Sequence, residues 1–420
     1  MDFTLTPEQE SLRLAVRELC AQFPDAYWRQ TDRERAYPEA FVRALTEAGY
    51  LSALIPQEYG GLGLGITEAS LILEEVNRSG GSSAACHAQM YIMGALVRHG
   101  SEEQKRRWLP EIASGRLRLQ AFSVTEAAAG SDTTSIDTLA VREGDEYLVH
   151  GAKNWTSRVE QSDLLLLLAR TTPKGRERDR TRGLSIFLVD LRDARGTDTF
   201  IARRTRTMFN YETYQVEYRN LAIPAENLIG EEGMGFRYII DGWNAERILL
   251  AAECIGDGHW FIERAANYAK SREVFGAPIG RNQGVQFPLA RAHAQVYSAD
   301  LMRHKAAWLF DHGQSCGAEA NMAKLLASEA SWAAANICLD THGGNGFVDE
   351  YDVERKFRET RLFQVAPINN NLVLAYVATH VLGRHGHRGL SARCSVGRCP
   401  GHDRVIRIAP ERCSRHWALH

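Results

Sequence analysis

Two parts of the sequence contain residue types that bind phosphate or metal ions in many proteins. Residues 60–65 are rich in glycine, but they match neither GxxxxGK[ST] nor GxGxxG, and no strand precedes them. Near the C-terminus, cysteines and histidines stand at spacings that match no common zinc pattern; they are Cys394, Cys399, His402, Cys413 and His416. We therefore interpret the first segment as a simple loop and predict no metal site in the second.

A glutamate beside an arginine, Glu246-Arg247, opens a strongly apolar run that continues through Ile248, Leu249 and Leu250. This run predicts partial burial of Glu246. Desolvation of a carboxylate raises its pKa, whereas a neighbouring cation such as Arg247 lowers it. A carboxylate under these influences is a candidate proton acceptor, and the alternative is an exposed helical glutamate paired with Lys or Arg.

Composition and the N-terminal residues exclude several classes of protein. Hydrophobic residues make up 44% and charged residues 24% of the 420 residues, as in soluble globular proteins, and no apolar run is long enough for a membrane span. The N-terminus resembles neither a secretory signal nor a mitochondrial presequence, so we expect a cytoplasmic location. Thr6 as N-cap with Pro7 at the first helical position predicts a helix that begins at once.

Cysteine spacing and charge distribution give two further expectations. The cysteines are widely spaced, so we expect no disulfides and interpret those in helical contexts as small buried hydrophobic residues; these are Cys20, Cys86, Cys254, Cys316 and Cys338. The net charge is −2, but residues 384–420 contain eight Arg and only two acidic residues, so the remainder is acidic. An acidic body argues against nucleic acid as the main partner, and the composition of residues 384–420 predicts a disordered basic tail.

The periodicity of apolar residues changes twice along the chain. Residues 1–118 show helical spacing, residues 119–230 contain strand-like runs such as 164–168, and residues 231–383 are again helical. This order predicts an α+β protein, mostly α, with a small β domain between two helical domains and the tail at 384–420.

Four ordered motifs carry a family resemblance. They are VTEAAAGSD at 124–132, GAKNWTS at 151–157, KSREVFG at 270–276 with Asn282-Gln283, and THGGNGF at 341–347. Each is weak alone, but in this order they resemble the acyl-CoA dehydrogenases along almost the whole chain. The resemblance implies an N-terminal helical domain, a middle β-barrel or sandwich, a C-terminal four-helix bundle, FAD as cofactor and no metal.

The resemblance also implies which residues meet the cofactor. Thr125 and main-chain groups would hydrogen-bond the isoalloxazine edge, Trp155 would cover the ring, and Arg272 would offset the pyrophosphate charge. Residues 340–344 would approach the FAD of a neighbouring subunit, which requires a homo-oligomer, in this family usually a tetramer. The full set is Phe122, Val124, Thr125, Ser131, Trp155, Thr156, Ser157, Arg272, Phe275, Gln283, Asp340, His342, Gly343, Gly344, Asn369 and Asn371.

The position of the catalytic base departs from the commonest family pattern. Pro367 stands where many members have the catalytic glutamate, whereas members resembling isovaleryl-CoA and long-chain acyl-CoA dehydrogenases place a glutamate just before an arginine on an earlier helix. The resemblance therefore implies Glu246 as base, with Ser131, Asn244 and Arg247 at the acyl-CoA.

Pro367 also leaves the reaction type open. It lacks the N–H that in this family helps hold the thioester oxygen. Either Ile368 donates instead, or the activity differs from simple dehydrogenation. We expect an acyl-CoA dehydrogenase that passes electrons to an electron-transfer flavoprotein. The alternatives are an oxygen-using flavin oxidase or monooxygenase, and a non-enzymatic protein that contacts nucleic acid through its tail.

Overall fold

The computed structural model describes residues 4–176 and 179–383. The tail predicted to be disordered and the zinc candidates considered above lie outside the described residues. The α-helices are α1 Pro7–Ala21, α2 Asp25–Glu34, α3 Glu39–Glu47, α4 Ile66–Arg78, α5 Ala88–His99, α6 Glu102–Ala113, α7 Leu191–Ala194, α8 Gly235–Ser271, α9 Gln283–Asp311, α10 Gly317–His342, α11 Val353–Arg361 and α12 Asn370–Tyr376. The strands are β1 Leu119–Ser123, β2 Leu139–Glu143, β3 Glu146–Ser157, β4 Leu164–Arg170, β5 Leu184–Asp190, β6 Phe200–Thr205, β7 Thr213–Pro224, β8 Leu228–Ile229, β9 Glu273–Val274 and β10 Ala277–Pro278.

The first helix begins where the sequence predicts it. The Thr6 hydroxyl accepts a hydrogen bond from the Gln9 amide at 3.3 Å, and the Gln9 side-chain oxygen accepts one from the Thr6 amide at 3.1 Å. Pro7 occupies the first helical position. This reciprocal capping satisfies N–H groups that have no partner inside the helix, so the predicted helix start is confirmed.

The middle of the chain forms one mixed sheet in the order β6-β7-β3-β2-β4-β5-β8, with β1 parallel to β4. The two end strands, β6 and β8, do not pair with each other, so among the described residues the sheet is open and does not close into a barrel. Strands β2 and β6 were not anticipated from the sequence. The predicted α+β class and the order of helices, sheet and helices are confirmed.

Strand β4 connects the two cores that flank the sheet. All seven of its residues are buried, as its apolar run requires. Leu164, Leu166 and Leu168 pack with residues of α5, α6 and the start of α8, whereas Leu165 and Leu167 pack with β3, β5 and β7 on the other face. The two-residue period of the strand thereby fixes the sheet against the N-terminal helices.

Helix α8 is 37 residues long and joins several parts of the molecule. Its first turns pack against the sheet core, through Phe236 and Ile239. The apolar run at residues 248–251 then packs against α4 and belongs to one buried core with residues of α1 and α3. Helices α9 and α10 pack along α8, and α11 packs on α10. Glu246 therefore lies between the sheet core and the helical core. The domain boundaries inferred from the sequence stay a prediction.

Three expectations from composition concern membrane spans, metal ligands and cysteines, and the described residues bear on each. Within residues 4–176 and 179–383, no helix is both long enough and apolar enough to cross a bilayer. In the same ranges, no three or more His, Cys, Asp or Glu side chains are grouped as metal ligands. The five cysteines of these ranges are unpaired and buried, as predicted for small hydrophobic residues.

Candidate active site

Glu246 is almost completely buried, with 5% of its surface exposed. This burial raises the pKa of Glu246 to about 7. The charges of Arg247 and His87 and a hydrogen bond with the Tyr91 hydroxyl act in the opposite direction, but they do not outweigh desolvation. A carboxylate with a pKa near neutrality can accept and release a proton at physiological pH.

A second buried carboxylate, Glu253, lies two helical turns after Glu246 and on the same face of α8. Its Oε1 atom is 2.7 Å from Nδ1 of His87, and its Oε2 atom has no hydrogen-bond partner within the described part of the chain. The negative charge of Glu253 raises the pKa of Glu246 further. His87 and Glu253 thus shape the electrostatic environment of Glu246, and the sequence did not single them out.

The two residues predicted at the acyl-CoA, Asn244 and Arg247, flank Glu246 on α8. One guanidinium nitrogen of Arg247 lies 3.4 Å from Oδ1 of Asn244, and the guanidinium carbon lies 5.7 Å from the centroid of the Trp243 ring. Arg247 is buried, and its Nε atom has no partner among the described residues. The unpaired Nε donor of Arg247 and the carboxylate of Glu246 therefore belong to adjacent residues of α8.

The first two sequence motifs are joined by a buried ion pair. The Lys153 ammonium lies 2.9 Å from a Glu126 carboxylate oxygen and donates to the Val124 carbonyl at 2.8 Å. The same carboxylate accepts the backbone N–H groups of Asp137 and Thr138. Burial lowers the pKa of Lys153 to about 8. The pKa of Glu126 stays below its ordinary value because Lys153 and these hydrogen bonds outweigh burial.

Trp155 is presented to solvent by a local irregularity of β3. The pairing of β3 with β7 changes register between Lys153 and Thr156, and Trp155 has a φ of +61°. Left-handed backbone is rare for a bulky residue and is concentrated at functional sites. The indole is 59% exposed, so a flat apolar surface is open beside the two motifs.

Hydroxyl and main-chain groups surround this tryptophan. The Asn154 amide donates to the Thr125 carbonyl at 2.7 Å, which places the two motifs side by side. The Thr156 hydroxyl is buried and lies 3.1 Å from that of Ser123. Ser157 is half-buried; burial raises the pKa of Tyr211, and the Ser157 hydroxyl acts against this rise. Phe122 and Val124 are half-buried at the same edge.

Ser131 and Asn369 connect the middle sheet to the C-terminal helices. The Asn369 side-chain amide donates to the Ser131 hydroxyl at 3.0 Å, and its Oδ1 atom caps α12 by accepting the Leu372 amide at 2.9 Å. Asn371 is exposed one residue into α12. The predicted contacts of these residues with cofactor and substrate therefore lie at the junction between sheet and helices.

The remaining predicted cofactor residues form a separate group at the far end of α8. The Arg272 amide hydrogen-bonds the Tyr268 carbonyl, and the Tyr268 ring stacks on His342 at 4.2 Å between ring centroids. The other members of the group are exposed; they are Phe275, Gln283, Asp340, Gly343 and Gly344. Glu246 and Arg272 are 26 residues apart, and α8 continues without a break from Glu246 to Ser271. At the rise of an α-helix, this separation places Glu246 and Arg272 about 39 Å apart.

A cavity near the start of α6 does not include the predicted site residues. This cavity of about 410 Å³ is lined by residues of α6, including Gln104, Arg107 and Trp108, and by residues 225–230. It contains none of the predicted site residues. The catalytic candidates are identified by burial, charge and hydrogen bonding, and not by an open cavity.

Three family models match the chain in the order of its structure. They are described as the N-terminal, middle and C-terminal domains of acyl-CoA dehydrogenase, and they match residues 6–116, 121–221 and 233–400. The acyl-CoA dehydrogenase FadE12 of Mycobacterium tuberculosis is 35% identical over 386 residues, which cover 91% of this chain and 97% of that protein. The chain belongs to the acyl-CoA dehydrogenase family. It is accordingly an enzyme of a family of flavoprotein oxidoreductases.

Solved structures agree with this assignment. The structure of glutaryl-coenzyme A dehydrogenase in complex with glutaryl-CoA is 30% identical, with a TM-score of 0.85, and covers 93% of this chain and all of that chain. The FAD complex of PigA is 23% identical with a TM-score of 0.84, covers 91% of this chain and 99% of that chain, and shows a shared fold. The family resemblance inferred from the four motifs is confirmed.

Proposed function

We propose that this enzyme catalyses the FAD-dependent α,β-dehydrogenation of an acyl-CoA thioester, with Glu246 as the catalytic base. The observation that carries this proposal is the burial of Glu246, with a pKa near 7, next to Arg247 on α8. The Cα–H bond breaks, its proton passes to the Glu246 carboxylate, and its electron pair becomes part of the new double bond. Hydrogen-bond donors at the thioester oxygen favour this step because negative charge develops there.

The residues of the sheet edge fit FAD. An exposed indole on left-handed backbone offers a flat surface, and the hydroxyls of Thr125 and Ser157 are donors beside it. We propose that these residues, with Phe122, Val124 and Thr156, hold the isoalloxazine. When bound, FAD supplies the acceptor for the hydride that leaves Cβ.

The second group of cofactor residues supports a homo-oligomer, which we propose to be a tetramer. Arg272 lies about 39 Å along α8 from the proposed base Glu246, so we infer that the FAD that reacts beside Glu246 does not reach Arg272. The exposed Arg272, Phe275 and residues 343–344 therefore suit the cofactor of another subunit. Sedimentation of the holoprotein tests this: we expect a multiple of the single-chain mass, and a monomer with full FAD content contradicts it.

The pH dependence of flavin reduction tests the proposed base. Glu246 must be ionised to accept the proton, so the rate at limiting acyl-CoA should rise with pH and level off above a midpoint of about 7. Stopped-flow reduction of the enzyme-bound flavin under anaerobic conditions gives this profile between pH 5 and 9. A rate that stays constant down to pH 5 contradicts a base with this pKa.

We propose an electron-transfer flavoprotein as acceptor. A second candidate function, an oxygen-using oxidase or monooxygenase, is favoured by one observation: Pro367 removes an N–H that the family uses at the thioester. Air added after anaerobic reduction separates the two. Slow reoxidation supports the dehydrogenase, and rapid formation of peroxide supports the oxidase.

A further inference from the structure

Glu253 is a fully buried carboxylate of α8 that has only one of its two oxygens in a hydrogen bond. Its Oε1 atom is 2.7 Å from Nδ1 of His87, and its Oε2 atom has no hydrogen-bond partner among residues 4–176 and 179–383. A buried acceptor without a donor has lost its hydrogen bonds to water and gained none in exchange, which lowers stability. The Oε2 atom can therefore accept a hydrogen bond from a bound molecule that carries a donor group.

The face of α8 that bears Glu253 alternates between polar and apolar side chains. Glu246, Leu250 and Glu253 lie on this face, because spacings of four and three residues match the helical repeat. Leu249 and Leu250 are buried, so an apolar stretch separates the two carboxylates. At the helical rise, the seven residues from Glu246 to Glu253 span about 10 Å. This order of groups is complementary to an acyl chain that ends in a polar group.

Burial along α8 indicates the direction in which an acyl chain runs past the proposed base. Residues 242–244 are half-buried, whereas every residue from 245 to 258 is buried. The large and charged CoA moiety suits the partly exposed side, because burying charged groups is costly. The acyl carbons beyond the one that gives its proton to Glu246 then extend along the buried side. Glu253 is the next polar side chain on that face of the helix.

The start of α5 holds Glu253 in a fixed orientation. His87 immediately precedes α5, and α5 packs against α8. The His87 ring contacts that of Tyr91, one helical turn later, with 5.6 Å between the ring centroids. A carboxylate that is held through one oxygen by a packed ring presents its other oxygen in a defined direction. Such an acceptor can discriminate between ligands with and without a donor.

We infer that Glu253 is a specificity-determining residue, whose Oε2 atom accepts a hydrogen bond from a hydroxyl group at the far end of the acyl chain. The inference rests on the proposed function and names the substrate class of the same site, hydroxylated acyl-CoA thioesters. A hydroxyl suits this position better than an ammonium group, because burying a charged group costs far more than burying a neutral donor. An extended chain advances about 1.2 Å per bond, so a span of about 10 Å fits acyl chains of roughly six to nine carbons.

Pairs of thioesters that differ only in the terminal hydroxyl test this inference. The probes are ω-hydroxyacyl-CoAs of six to nine carbons, each compared with the unsubstituted acyl-CoA of the same length, and kcat/KM is measured by anaerobic flavin reduction of the holoenzyme. We expect the best hydroxylated probe to exceed its unsubstituted partner by about 10- to 100-fold. In Glu253→Leu this preference should disappear. Glu263→Leu, at an exposed glutamate of α8, is the matched control and should keep the preference.

The possible results distinguish failure of this inference from failure of the proposed function. Equal kcat/KM for both members of every pair in the wild-type enzyme overturns the inference, while flavin reduction by either leaves the proposed function standing. A preference in Glu253→Leu as large as in Glu263→Leu overturns the role of Glu253. Should Glu253→Leu fail to fold, Glu253→Gln, which removes only the charge, should show a smaller preference than the wild type, and an unchanged preference overturns that role too. If no thioester reduces the flavin, the proposed function is wrong and this inference with it.

Discussion

Glu246→Gln should purify with bound FAD and yet be reduced by acyl-CoA about 10²- to 10⁴-fold more slowly than the wild-type enzyme. Glutamine keeps the volume of the buried side chain but cannot accept the α-proton. The FAD residues proposed at the sheet edge do not include Glu246, so cofactor content should be unchanged. Anaerobic stopped-flow absorbance of the flavin measures both properties on one sample.

The matched control for this substitution is Glu263→Gln on the same helix. Glu263 is exposed and forms an ion pair with Arg78, so its replacement should leave flavin reduction within about twofold of the wild type. If Glu246→Gln is reduced as fast as Glu263→Gln, Glu246 has no part in proton abstraction. A colourless Glu246→Gln protein with native secondary structure would instead show a role in binding the cofactor.

Lys153→Met should lower the free energy of unfolding by about 3–5 kcal/mol and reduce FAD content. Lys153 is fully buried and holds Glu126 and the Val124 carbonyl, so its loss leaves a largely buried carboxylate without its cation. The segment from Val124 to Ser131 would lose its anchor, and this segment carries several of the proposed FAD contacts. Denaturant unfolding and the ratio of flavin to protein absorbance measure the two effects.

Lys174→Met tests whether the effect is specific to the buried pair. Lys174 belongs to the same sheet domain and pairs with Asp137 on the surface, with about half of its side chain exposed. Removing an exposed ion pair changes stability by less than about 1 kcal/mol, and FAD content should stay the same. Equal losses in Lys153→Met and Lys174→Met would contradict the anchoring role of Lys153.

The sequence predicts the elements whose signals are local. The run of apolar residues in β4 and the Thr6–Pro7 helix start both correspond to observed elements. Strand β2 was missed because its last three residues, Val141, Arg142 and Glu143, are exposed and two of them are charged. Strand β6 was missed because it is an edge strand that contains two exposed arginines. Their strand conformation depends on pairing with β3 and β7, which no local pattern reveals.

In the candidate site, too, the sequence predicted features that depend on neighbouring residues and missed those that depend on contacts between distant segments. The burial of Glu246 followed from the apolar run after it, and four motifs pointed to the residues of the sheet edge. The roles of Lys153 and of the His87–Glu253 pair depend on contacts between residues 27 and 166 positions apart in the sequence. When a buried lysine bonds to an oxygen of a segment that is distant in sequence, the residues around the lysine do not reveal that it is buried.

Anaerobic titration of the wild-type holoenzyme with a panel of acyl-CoA thioesters, short, long and branched, tests the central claim most directly. We expect at least one member of the panel to bleach the flavin absorbance in proportion to the amount added, with the matching enoyl-CoA as product. Free fatty acids of the same chains should leave the spectrum unchanged. An FAD-loaded enzyme that none of these thioesters bleaches would contradict the proposal that this chain oxidises acyl-CoA.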